Sequence, residues 1–433
     1  MPIASAIISG DVASAESRTC RKGSRISSDG ATRCGQRRFG CLSSENRKEI
    51  AVEPFWRMYK EFCEVPGVAG REMPMARRME KELSGHFPQC GLDDFGNLVA
   101  VKPGRAPRSS RRTTAAGRAG ARKIMLAAHM DEVGMLVKSL REDGFIRVAP
   151  SGNLLMRYWI GREVQINTDA GAVVGILEGE EQAVHGVSDA PEASLGARPA
   201  VKAEDLFLDV GAGSKAEVEA MGIRIGDSVS WRMQAQVLEE RGVVIGRAAD
   251  DRAGCAIIVE AGRRLAQELK ACSICVVGTV QEESLSVSTA FAGATVAGQA
   301  LEPDVAFVTD IFLTADMPGQ QTDKAASILP IRFGGSLGIL RGTESHEGMT
   351  RLLVETCEER AIPFQLVGLS IYGTDALALR ATGKGVMTGV FGPTARYHHS
   401  PCQMTCMKEM LDCVELIVHA AKKIEAGYDL SLR

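Results

Sequence analysis

Residues 123–140 read KIMLAAHMDEVGMLVKSL, an apolar run from Ile124 to Ala128, a polar break at His129, Asp131 and Glu132, and a second apolar run from Val133. A short apolar run that ends in metal-type side chains is the pattern of a buried strand delivering residues to a site at its end. Further along the chain, strand and helix patterns alternate: DRAGCAIIVEAGRRLAQEL (251–269, helix), SICVVGTV (273–280, strand), DVAFVTD (304–310, strand), EGMTRLLVETCEERA (347–361, helix), PFQLVGL (363–369, strand) and MKEMLDCVELIVHAAKKI (407–424, helix). This alternation predicts an α/β fold, a three-layer sandwich with a mostly parallel central sheet.

Residues 141–236 follow another pattern. FIRVAP, REVQINT, AVVGIL, LFLDVG and DSVSWRM are short alternating segments separated by Gly, Asp and Asn, with one helix at SKAEVEAMG whose serine suits an N-cap. They predict a small β-rich domain inserted into the α/β domain, which then comprises residues 51–140 and 237–433. Upstream, FWRMYKEFCEV and MPMARRMEKELSGHF carry apolar residues at helical spacing. Residues 1–50, rich in Ser, Arg and Gly, read as a disordered extension, a targeting segment or the product of an early start codon. The basic stretch RAPRSSRRTTAAGRAGARK (105–123) contains no large apolar residue and reads as a solvated surface loop.

Of the 433 residues, 45% are hydrophobic and 24% charged, and the net charge of −3 offers nothing to a nucleic acid. No apolar run is long enough to span a membrane, and the N-terminal residues lack the pattern of a secretory signal, so a cytoplasmic location is expected. The twelve cysteines show no disulfide framework. The close pair Cys272 and Cys275 lies in an apolar run and reads as core.

Five segments end apolar runs with potential ligands: His129-Met130-Asp131, Asp250-Asp251-Arg252, Glu282-Glu283, Asp310 and His398-His399. In a strand, residues two apart face the same side, so His129 can bind a cation while Asp131 holds its ring. Adjacent glutamates can divide the work of ligand and general base. Each segment alone is weak, because a single His or Asp at a strand end is usually a satisfied polar residue. Together, imidazoles and carboxylates without thiolates have the composition of a two-metal hydrolytic site.

The segments AAHMDEVGMLV, GRAADDRAGCA, VGTVQEES, PDVAFVTD, YGTDALAL and RYHHSP stand in the order found in the tetrahedral aminopeptidase (glutamyl aminopeptidase) family of co-catalytic metallopeptidases, which the chain resembles from about residue 53 to 430. DLFLDVGAGSKAEVEAMGIRIGDSV resembles that family's inserted dimerisation domain. The resemblance implies one metal held by His129, Asp250 and Asp310, and a second held by Asp250, Glu283 and His399, with Asp250 bridging. It also implies Glu282 as general base and Asp131 as the partner that orients His129. The family spacing RY-x-HSP selects His399 as ligand and leaves His398 at the pocket rim. Asp251 is expected to cap or support, and Asp375 to shape the pocket. After Glu283 the chain reads SLSVSTAFAGA where the family has Val-Gly-Leu-Arg-Gly, so the loop around the second metal is expected to differ.

The implied activity is release of N-terminal residues from short peptides, with two divalent cations, zinc by default and cobalt or manganese as alternatives. The implied partners are peptide substrates and further copies of the chain, in a dimer-based homo-oligomer of up to twelve subunits. A metal-dependent deacylase on a related fold and a non-catalytic scaffold are the rival readings.

Overall fold

The structure is a computed structural model that describes residues 52–105, 122–179, 201–284, 291–318, 331–368 and 373–432. The N-terminal extension and most of the basic stretch after Gly104 lie outside the described residues. Within them the chain has a mixed α/β fold with three sheets: one of eight strands, one of five and a closed six-stranded barrel.

In spatial order the eight strands are Gln89–Leu92, Leu98–Lys102, Ser273–Thr279, Lys123–His129, Val305–Thr309, Met387–Gly392, Leu337–Leu340 and Phe364–Val367. The middle four are parallel neighbours, with Thr279 opposite His129 and Thr309 opposite Phe391. Antiparallel pairings occur toward both edges. Alternate side chains divide between two cores, as the pleat requires. Ile124, Leu126 and Ala128 join one core with the Ala249–Glu268 and Met407–Glu425 helices. Met125 and Ala127 join the other with Ala294 and Ala297 of the Ala292–Leu301 helix and Ala376 and Leu379 of the Asp375–Leu379 helix. Because both faces are covered, these strands are apolar along their whole length. Cys275 belongs to the second core as a free thiol, and burial pushes its pKa up to about 11.

The barrel runs Gly134–Leu140, Ile146–Ser151, Leu206–Asp209, Gly171–Gly179, Arg162–Thr168 and Ser228–Trp231, closing through Met135 opposite Val229. It therefore takes in Gly134–Leu140, ahead of residue 141 where the sequence pattern changes. Its interior is apolar, with Trp159 stacked on Trp231 at 4.1 Å between ring centroids. Ser214 caps the one helix near it, accepting the Glu217 N–H at 3.3 Å.

The five-stranded sheet was not foreseen. It joins Gln236–Leu238, Val243–Gly246, Gln403–Cys406, Thr394–Arg396 and Phe312–Leu313, strands of two to four residues drawn from distant parts of the chain. Pieces this short carry too few residues to display a period.

Candidate metal centre at the end of the parallel strands

Parallel strands end on the same edge of a sheet, and this edge gathers the candidate residues. His129 is the last residue of its strand, Asp310 follows Thr309, and Glu282 and Glu283 follow the strand that ends at Thr279. Asp250 comes from the first turn of the Ala249–Glu268 helix, and His398 and His399 from the turn between Thr394–Arg396 and Gln403–Cys406.

The Asp250 carboxylate lies between the histidines. Its Oδ1 is 3.0 Å from His129 Nε2, while its Oδ2 is 2.6 Å from His398 Nε2 and 3.6 Å from His399 Nε2. The Asp250 backbone N–H donates to Gln403 Oε1 at 2.9 Å, which fixes the carboxylate from the five-stranded sheet. His399 directs Nε2 to Glu283 Oε1 at 2.8 Å and donates from Nδ1 to the Asn153 carbonyl at 2.7 Å. A backbone carbonyl on one ring nitrogen is the usual device that leaves the other free for a cation. His399 adopts φ 52°, a left-handed conformation that histidine visits more readily than most residues. Gly152, beside Asn153, has φ +90°, and a Cβ there would lie 2.7 Å from Val133 Cγ1 and 3.0 Å from the Glu283 carbonyl oxygen. Glycine is needed for this loop to reach the site.

Three sets of ligand atoms lie within 4.8 Å of one another: Asp250, Glu283, His398 and His399; His129, Asp250 and Asp310; and His129, Glu282 and Glu283. Asp250 belongs to the first two. The five expected ligands and Glu282 are thus brought together. His398, half-exposed on the solvent side as expected of a rim residue, also has its ring in the first set, stacked on His399 at 3.5 Å between centroids. The local spacing could not reveal this, because it depends on the turn placing both rings on the same side.

Asp131 differs in detail from the expectation. Its Oδ1 is 3.5 Å from His129 Nδ1, too long for a good hydrogen bond, and that nitrogen has no hydrogen-bond partner. The Asp131 carboxylate instead accepts the backbone N–H groups of Glu282 at 3.1 Å and Glu283 at 2.7 Å. It anchors the turn that presents both glutamates. Asp251 accepts the Gly254 N–H at 2.9 Å, closing the first helical turn. Asp375 is buried and accepts from Thr279 Oγ1 beneath His129, and burial pushes its carboxyl up to about 6.

Sequence reasoning missed the support beneath these residues. Glu132 is buried and accepts from Arg247 Nη2 and from the Gly67 N–H, both at 3.0 Å. Arg247 also donates to the Trp231 carbonyl of the barrel, so a buried ion pair ties the His129 strand end to the barrel wall. The available signal was a charged residue, Glu132, placed directly between two apolar runs.

The electrostatics favour cations. Asp250, Glu282, Glu283 and Asp310 crowd together, and burial, followed for Asp310 by the nearby Asp250 charge, holds the Glu282 and Asp310 carboxyls well above the usual range. Burial alone would lower the His399 pKa, but Glu283 and Asp250 outweigh it and push it to about 10. His129 is raised in the same way, by Glu282, Asp131 and Asp250 against burial. Protons on imidazoles thus offset carboxylate charge at a place where divalent cations would do so more completely. The donor set, with His129 Nε2 turned to Asp250, and the excess of carboxylates fit a metal centre.

Comparisons with known proteins place the chain in a family. The chain is 27% identical to the lysyl aminopeptidase of Pyrococcus furiosus over 366 residues, 83% of this chain and 95% of that one. Its fold matches an aminopeptidase of the archaeon Desulfurococcus kamchatkensis with TM-score 0.72 and 27% identity, over 88% of this chain and 97% of the other. It also matches the TET1 peptidase of Pyrococcus horikoshii with TM-score 0.67 and 23% identity, over 85% and 98% of the two chains. The family model for M42 glutamyl aminopeptidases aligns with residues 110–416, and the chain belongs to that family.

Proposed function

We propose that this chain, an aminopeptidase by family, removes N-terminal residues from short peptides using two divalent cations held around Asp250. The observation that carries the reading is the sharing of Asp250: one oxygen faces His129 and the other faces the His398–His399 pair. One cation would be held by His129, Asp250 and Asp310, the other by Asp250, Glu283 and His399. Such ions supply Lewis acidity toward the scissile carbonyl and a lowered pKa for water. Imidazole and carboxylate donors make zinc the first choice, with cobalt or manganese as substitutes.

The chain's own residues do the rest. Glu282, in reach of the His129 set, takes the proton of the attacking water and passes it to the leaving amine. Asp131 holds the Glu282 backbone, so the base is aimed by a buried carboxylate that does not itself react. One of the cations and nearby carboxylates would hold the substrate's free α-amino group, which confines cleavage to chain ends.

A free amine is therefore the deciding requirement. Good aminoacyl-p-nitroanilides and peptides should be cleaved in the presence of zinc, cobalt or manganese, and their N-acetylated forms should resist. Rapid hydrolysis of the blocked forms would replace this reading with a deacylase.

We read the helix-covered sheet as the three-layer catalytic domain, expected at residues 51–140 and 237–433, and the β-rich block expected at 141–236, which the barrel extends back to Gly134, as an inserted oligomerisation domain. Two observations support that role. The three ligand sets take no residue from the barrel, and Val174 and Ile176 stand exposed on its outer wall. The similarly folded Pyrococcus horikoshii TET1 peptidase can assemble into a tetrahedron or a large octahedral shell. Light scattering coupled to size exclusion should give a multimer for this chain, and a stable monomer would exclude the assembly.

A further inference from the structure

We propose that His398 is a direct metal ligand, which gives the Asp250, Glu283 and His399 site a second imidazole and four protein donors. This rests on the reading of the cluster as a metal centre and adds a residue to it. His398 Nε2 lies 2.6 Å from Asp250 Oδ2, closer than His399 Nε2 at 3.6 Å. The ligand atoms of all four residues fall within 4.8 Å of one another. The two rings are stacked at an interplanar angle of 26°, and both Nε2 atoms face the same carboxylate oxygen. One ion at that position can therefore meet both nitrogens. His398 is also the more open of the two, with its side chain 29% exposed against 11% for His399, so it stands on the solvent side of the site.

The consequence is an unequal pair of sites. The His129, Asp250 and Asp310 set offers one imidazole and two carboxylates, whereas the other offers two of each. More nitrogen donors favour zinc and cobalt over manganese, because imidazole suits the later metals and carboxylate the harder ones. The site with His398 should hold its ion more tightly and discriminate more strongly against manganese.

The test is titration of the metal-free full chain with Co²⁺, followed by calorimetry and by the visible absorption of the bound ion. The wild-type chain should show two binding events. In His398→Ala the tighter event should weaken by about 10–100-fold or more, since even loss of a residue that only supports a ligand costs that much. The visible band of that site should change, while the other site, unchanged, reports an intact fold. In His398→Cys the bound cobalt should acquire a near-ultraviolet thiolate charge-transfer band. Unchanged affinities in His398→Ala, weakened affinity with an unchanged visible band, or a cysteine variant without the charge-transfer band would each overturn the assignment. Failure of the wild-type chain to bind cobalt would remove the metal-centre reading as well, whereas wild-type-like binding by the variants would remove only the role of His398.

Discussion

The barrel interior holds the fully buried Val164, Ile166, Leu177 and Leu208 and a stacked tryptophan pair, whereas the end of the parallel sheet gathers four carboxylates and three imidazoles that are buried or half-buried. The first arrangement gains free energy from removing apolar surface from water, roughly 25 cal/mol for each Å². The second pays to desolvate charge: burial raises the Glu282 and Asp310 carboxyls, while Glu283 and Asp250 raise the His399 imidazole against burial. Apolar burial explains the barrel as structure. The crowded carboxylates have no such explanation, and perturbed groups of this kind are what the proposed metal centre requires.

The largest effect expected on this contrast comes from Glu282→Gln. The amide fills the same space but cannot accept a proton, so turnover should fall by a factor on the order of 10²–10⁴ while bound metal and thermal stability stay near wild type. A variant with near wild-type turnover would show that Glu282 is not the base. Leu208→Ala should do the opposite. Leu208 is fully buried in the barrel, and its truncation should cost about 2–5 kcal/mol of stability, read from denaturant unfolding, with kcat of the folded enzyme retained. A large loss of kcat without loss of stability would mean that the barrel takes part in chemistry. The smallest effect should come from Ile176→Asp, on the barrel's exposed wall. It should leave fold and metal content alone and shift the assembly seen by light scattering toward smaller species. An unchanged assembly would move the subunit contact elsewhere.

The two regions were not equally legible in the sequence. Barrel strands such as Arg162–Thr168 alternate because one face is buried and the other is not, and the period of two survives in the residues. The strands Lys123–His129 and Ser273–Thr279 were legible for the opposite reason, being apolar throughout and ending in His129 and Glu282-Glu283. What was missed depends on contacts that no local pattern encodes. Val243–Gly246 pairs with Gln403–Cys406, about 160 residues away along the chain, and that pairing brings Gln403 to the Asp250 backbone. Asn153 supports His399 through a carbonyl, which every residue possesses. Spacing identifies one histidine of the His398–His399 pair as a ligand, while only the backbone of the turn decides where both rings point.

The central claim is that Asp250 is shared by two cations. Elemental analysis of the chain, loaded with zinc or cobalt and then freed of excess metal by dialysis, tests it most directly when wild type is compared with Asp250→Ala. The account predicts about two ions per wild-type chain and a marked loss at both sites in the variant, with the fold retained by circular dichroism. No bound ion in the wild-type chain, or two ions retained without the Asp250 carboxylate, would contradict it.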